Sequence, residues 1–350
     1  MDRFLPHKDD LGDSINQAAT LLFEKLRGLD VDALGMSAGC LAYFKGSHFK
    51  RLFFSIETSA HLLYKCIKLT GKNKSEITIM DYGAGVGTLY TLAKLVGCGT
   101  VIYNDHLNEW KESARLIAAG IGIEVDEYIV GDIDATLQKL EEKNISLDIV
   151  TSRNVIEHIY KLDYFYSLIA RLQPQAIVFS STTANYRNPA SRFKHWILHN
   201  RVDRQYYFEA RKKIILQKLP GLDETTVKSL ASKTRGLALE ALNNALEHYQ
   251  ETGELKKHNQ PISSNTCDPE TGVWAEHMIS FTAYRNIIKE AGYQGGFEAG
   301  CWDTHYSNPI LNLLGLTLNQ FIRLGAGCFL APFIYVIAQP TATTKLKTIS

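Results

Sequence analysis

The hydrophobic pattern divides the chain into a helical start, an alternating strand and helix middle, a long polar helical stretch and a short return of strands. In INQAATLLFEKLRGL and FKRLFFSIETSAHLLYKCIKL apolar residues recur every three or four positions, the spacing that lines one face of a helix. Residues 1–75 therefore read as an N-terminal helical cap. The linker GKNKSE leads into ITIMDYGAG, a short apolar run that breaks into glycines as a strand entering a turn does.

From 76 to 184 the period alternates. TVIYND, EYIVGD, LDIVTS and AIVFSS read as buried strands, with helical patterns over 110–119, 137–142 and 162–172 among them. Strands joined through helices by short connections specify a parallel sheet covered on both faces. Residues 185–273 break this rhythm, being polar, helical in pattern and richer in Lys and Arg than in Asp and Glu. They read as a helical insertion or lid; their basic excess is most often that of a solvated helix face, with an anionic or lipid-linked acceptor as the alternative. FTAYRNIIKEAGY, GGFEAGCWD and FIYVIAQP resume the core over 274–340. The predicted fold class is α/β: a Rossmann-like, mostly parallel seven-stranded sheet with helices on both faces, an N-terminal helical cap and a large helical insertion after the fifth strand.

From Pro309 to Ala338 the only charged residue is Arg323. Pro332 interrupts the run and FIYVIAQP reads as a core strand, so burial is the expectation for this region. The alternative is a peripheral membrane contact through NPILNLLGLTLNQFIRLG. The 350 residues suffice for an α/β domain with additions, and 45% hydrophobic with 21% charged residues is a globular balance. A net charge of +1 gives no footprint for nucleic acid. Six cysteines without a C-x-x-C spacing suggest reduced thiols, and the start MDRFLPHKDDLGDS lacks the basic tip and apolar run of a signal peptide. A cytoplasmic location, with the membrane surface as its alternative, is the expectation.

The candidate chemistry begins at Asp81-Tyr-Gly83-Ala84-Gly85-Val-Gly87, between a strand and a helix predicted to start near Thr88. Glycines there let the backbone turn tightly and approach a ligand. The spacing G-x-G-x-G lacks the third glycine of the dinucleotide fingerprint. An acid before the loop repels a pyrophosphate but welcomes an ammonium group. Asp105 ends the next strand, placed to accept ribose hydroxyls with His106 beside it. Asp132 ends the third strand, placed for an adenine amino group with Ile133 against the ring. S-adenosyl-L-methionine carries all three groups and no phosphate.

The segments MDYGAGVG, YNDH, VGDID and SRNVIEHI resemble the class I methyltransferase domain of the ubiquinone and menaquinone biosynthesis type. The resemblance implies S-adenosylmethionine as cofactor and adds Arg153 and Asn154 to its lining. Some ubiquinone-pathway relatives hold a divalent metal with E-x-x-E-H. The first of those carboxylates is missing here, so no metal is expected. His158, after the fourth strand, is the candidate general base. Tyr186, His195, His199, His277, Trp302 and His305 lie in loops expected to converge on an acceptor at the carboxyl edge of the sheet, with Glu276 and Asp303 among them. The expected reaction is O-methylation of a small-molecule, glycan or lipid-linked acceptor, with N- or C-methylation or a silent binding protein as alternatives. The N/D-P-P-Y sequence of nucleobase amino methyltransferases is absent.

Overall fold

The computed structural model describes residues 3–256 and 263–341. Seven strands form one sheet: β1 Thr78–Tyr82, β2 Thr100–Asp105, β3 Glu127–Val130, β4 Ile149–Arg153, β5 Ile177–Thr182, β6 Tyr293–Ala299 and β7 Ile334–Pro340. Their order is β3-β2-β1-β4-β5-β7-β6. β1 to β5 pair in parallel, while β7 runs antiparallel between β5 and β6. The order reverses between β1 and β4, so their loops diverge at the carboxyl edge and leave the crevice in which such sheets bind ligands.

The helices are α1 Asp10–Gly28, α2 Ala38–Tyr43, α3 Leu52–Thr70, α4 Leu89–Val96, α5 Asn108–Gly120, α6 Ile133–Glu142, α7 Leu162–Leu172, α8 Pro189–Val202, α9 Phe208–Lys218, α10 Glu224–Lys233, α11 Leu239–Thr252, α12 Phe281–Glu290, α13 Pro309–Phe321 and α14 Gly327–Leu330. α6 starts four residues before the expected position because the Asp132 side chain accepts the Ala135 N–H and caps it. Residues 185–273 are helical as expected, and α9, α10 and α11 share a small core of their own around Ile215, Leu230 and Leu242.

Two findings depart from the sequence expectation. The N-terminal helices are the sheet's own covering layer more than a cap: Leu22 of α1 and Leu63 of α3 belong to the same buried cluster as Leu92, Val101 and Phe179. Among the described residues of this region, Tyr43, Arg51 and one face of α3 reach the cavities at the carboxyl edge. The apolar stretch after residue 308 is buried only in its second half. β7 is a core strand, whereas α13 and α14 lie exposed on the surface.

Because the N-terminal helices share the sheet's core, Leu22→Ala and Leu63→Ala should each lower global stability by about 2–5 kcal/mol, the usual cost of a buried leucine truncation. Urea unfolding followed by circular dichroism checks this. A midpoint unchanged for the sheet would mean that these helices unfold separately.

Candidate functional site

Two cavities adjoin at the carboxyl edge. The first, about 670 Å³, is lined by the loop from Asp81 to Leu89, by Asn104 to His106, by Gly131 and Asp132, and by Arg153 to Val155 with His158. Trp110, Ile159 and Val273 supply apolar wall. The glycine at 83 is dictated by space as well as turn geometry. Its φ is +66°, and a Cβ there would lie 2.6 Å from the Val155 side chain.

The carboxylates expected at three strand ends do converge, but with unequal duties. Asp105 is buried, with Oδ2 accepting the Gly85 N–H at 3.0 Å and Oδ1 accepting the Leu107 N–H at 3.2 Å. It therefore fixes the loop it faces, and His106 stands exposed beside it with Nδ1 3.2 Å from Oδ1. Asp132 is exposed on the cleft rim while capping α6. Asp81 differs most from expectation. It is 4% exposed and its Oδ2 accepts the Tyr90 N–H at 3.2 Å, tying β1 to the start of α4. Burial pushes its carboxyl up to about 7, against the opposing pull of the Arg153 guanidinium. Its first task is to hold the turn.

Ile133 does not line the cleft; it packs at 6% exposure into the core with Ile129, Leu137 and Leu140. Arg153 stands in the wall, but its guanidinium donates to the hydroxyls of Ser59 at 2.7 Å and Thr58 at 2.9 Å and to the Ser55 carbonyl at 3.1 Å. Asn154 follows with φ 55°, a left-handed backbone outside glycine, and its N–H donates to the Ser181 carbonyl. Counting back from Glu157-His158, Asn154 also occupies the first position of the E-x-x-E-H pattern. Glu157 is 1% exposed and turned into the interior, where burial pushes its carboxyl up to about 8. It is no neighbour for a cleft cation.

His158 lines the first cavity. Its Nδ1 lies 2.8 Å from the Trp274 carbonyl, which only accepts, so Nδ1 donates there and, in the neutral tautomer, the lone pair lies on Nε2. His195 is the opposite case. Its Nδ1 lies 2.7 Å from the Ser191 carbonyl and its Nε2 2.7 Å from Glu276 Oε2. Both nitrogens face acceptors, the arrangement of an imidazolium. Burial works to raise the Glu276 carboxyl, but hydrogen bonds from His195 and Thr183 outweigh it and bring it down to about 2. Glu276 holds this position with φ 70°.

His195 opens onto the second cavity, about 470 Å³, together with Arg51, Lys194, Trp302, Asp303 and Tyr306. Asp303 is buried and paired with Arg51 at 2.9 Å. Tyr43, Ser55, Arg153 and Asn154 line both cavities. Of the expected acceptor residues, His195 and Trp302 are placed here, and four are placed elsewhere. Tyr186 lies under the Arg192 guanidinium. His199 is buried, with Nε2 2.8 Å from the Glu276 carbonyl, and burial lowers it to about 4. His277 stacks on Trp274 with ring centres 4.0 Å apart, and burial lowers it also to about 4. His305 packs tilted against Phe53 with ring centres 3.8 Å apart. Aromatic stacking and burial consume these side chains.

Sequence reading missed Tyr43, Arg51, Ser55, Thr58 and Trp110. Trp110 at the start of a helix after β2 carried a positional signal; the others come from the N-terminal helices and carried none.

Residues 58–215 match the family described as Methyltransferase domain. The ubiquinone biosynthesis O-methyltransferase of Bartonella bacilliformis is 31% identical over 107 residues, 30% of this chain. The chain spans 41% of that relative's length. A solved S-adenosylmethionine dependent methyltransferase from Mesorhizobium loti is 13% identical, with 79% of this chain and 97% of that one covered and a TM-score of 0.40. The magnesium protoporphyrin IX methyltransferase of Synechocystis, solved with bound SAH, is also 13% identical, with 85% and 97% covered and a TM-score of 0.36.

The depressed Glu276 carboxyl predicts an acid-side loss of stability. A carboxyl lowered on folding stabilises above its ordinary range near 4.5, and the contribution disappears as pH falls toward 2. Urea midpoints between pH 5 and 2.5 should therefore fall less steeply for Glu276→Gln than for the unaltered chain. Parallel slopes would dissociate Glu276 from the acid transition.

Proposed function

We propose that the chain, whose residues 58–215 match the Methyltransferase domain family, is a class I methyltransferase that transfers a methyl group from S-adenosylmethionine in the first cavity to an acceptor oxygen presented from the second. The observation that carries this reading is the common wall: Tyr43, Ser55, Arg153 and Asn154 belong to both cavities, so the two ligands meet there.

The donor set fits the cofactor. Asp105 and Asp132 stand at neighbouring strand ends with a glycine loop between β1 and α4, and Trp110 with Ile159 gives apolar surface for a ring. When bound, S-adenosylmethionine supplies a methyl group already activated on a sulfonium. The chain's part is to orient: Asp105 and Asp132 offer acceptors, the Asp81 to Leu89 loop forms the floor, and the cavity walls keep water away.

His158 is assigned the proton-accepting role, through the Nε2 lone pair that the Trp274 carbonyl leaves free. It lines the first cavity and not the second, so it serves an acceptor hydroxyl that reaches past Asn154. The second cavity groups Arg51, Arg153, Lys194 and His195 against the single carboxylate Asp303. That balance suits a small-molecule, glycan or lipid-linked acceptor bearing an anionic group.

Calorimetry and turnover test these assignments. Asp105→Ala should weaken S-adenosylmethionine binding about 10- to 100-fold, roughly 1.4–2.8 kcal/mol. His158→Ala should leave that affinity within a few-fold while lowering turnover by about 10²-fold or more. Absence of cofactor binding at millimolar concentration would reduce the chain to a silent scaffold. Undiminished turnover in His158→Ala would remove that residue from the mechanism.

A further inference from the structure

The surface beside the second cavity has a feature that methyl transfer does not use. α13 presents Ile310 at 74%, Leu313 at 66% and Leu314 at 53% exposure, and Leu324 beyond it is 82% exposed. Of the helix only Gly315 is buried. A Cβ there would lie 2.6 Å from the Asp303 carbonyl, so the helix is pressed flat on the loop that lines the cavity.

Hydrogen bonds fasten it along its length. Asn312 bonds the backbone of Tyr306 in both directions, Asn319 does the same with Trp302, and the Trp302 indole donates to the Leu330 carbonyl. Its 13 residues extend about 20 Å, short of the roughly 30 Å of a bilayer's apolar core. The backbone kinks at Gly325 before α14 begins. The stretch Pro309–Leu330 is apolar enough to cross a membrane by composition, yet it is tied lengthwise to the domain.

A second exposed apolar group lies across the cavity on α8, where Phe193 stacks on Trp196 and Ile197 lies beside them. α8 contains Arg192, Lys194 and Arg201 and no carboxylate. Between Asp303 and Thr341 the sequence has no further Asp or Glu, and Arg323 is the one Lys or Arg there. The start of α8 is joined to the end of the other group, with Asn185 donating to the Cys328 carbonyl and Asn188 to the Ala331 carbonyl. Leu, Ile, Phe and Trp side chains on elements whose described charged residues are Arg323 on one side and Arg192, Lys194 and Arg201 on the other are complementary to an anionic lipid surface.

We infer that α13 and the exposed face of α8 form a ledge that lies in the interface of an anionic bilayer and brings the mouth of the second cavity to headgroup level. A self-complementary contact with a second copy would set like charges against each other, which disfavours that occupant.

Flotation with phosphatidylcholine vesicles, alone and with about one-third phosphatidylglycerol, tests this without any turnover, so its failure leaves the methyl-transfer reading standing. The full chain should co-float with the anionic vesicles and be released, at least in part, by 0.5 M salt. The double substitution Leu313→Asp with Leu324→Asp, at two exposed positions, should reduce co-flotation at least tenfold while S-adenosylmethionine affinity stays within twofold. Recovery of the unaltered chain in the vesicle-free fraction overturns the inference. So does a dimer by light scattering that the double substitution converts to monomer without any vesicle binding at either stage.

Discussion

The arrangement at the carboxyl edge depends on where one guanidinium is planted. Arg153, at the end of β4, is accepted by a row of hydroxyls and a carbonyl on α3, with the buried Asp81 carboxyl opposite. A charge withdrawn from water needs such partners, because an unpaired one would carry a desolvation cost of several kcal/mol. Satisfying it pins α3 to the sheet beside the glycine loop and makes the guanidinium part of the partition between the two cavities. The left-handed Asn154 that follows turns the chain immediately past this anchor.

The two histidines at this edge are differentiated by what their ring nitrogens meet. His158 Nδ1 meets the Trp274 carbonyl and its Nε2 has no hydrogen-bond partner among the described residues; His195 meets a carbonyl through Nδ1 and the Glu276 carboxylate through Nε2. One ring keeps a nitrogen open to the first cavity, while the other has both nitrogens engaged by protein acceptors. Neither role follows from residue type, since His199, one helical turn after His195, is buried and kept neutral. A difference of four residues on α8 decides which ring opens onto the cavity.

Much of the fold was legible in the sequence because local rules governed it. The alternation of apolar runs and helical periods located all seven strands, and the glycines marked the crevice because Val155 leaves no room for a side chain at 83. The rest depended on tertiary partners. Ser55, Thr58 and Ser59 look like the polar face of any amphipathic helix until Arg153 is set against them. Asp81 lines the cavity as expected, and its burial adds a structural duty, the Tyr90 N–H cap, that the sequence did not announce. The run after Pro309 misled. Hydropathy measures a preference for leaving water, and it does not say whether protein or lipid receives the side chain.

The common wall has a thermodynamic corollary. Tyr43 stands edge-on to Trp110 with ring centres 5.3 Å apart and lines both cavities, as do Ser55 and Arg153. Whatever orders these three groups on one side prepares them for the other. Such linkage is reciprocal, so any tightening of the second ligand by the first is returned in equal measure. The shared wall thus makes the two cavities thermodynamic neighbours as well as spatial ones.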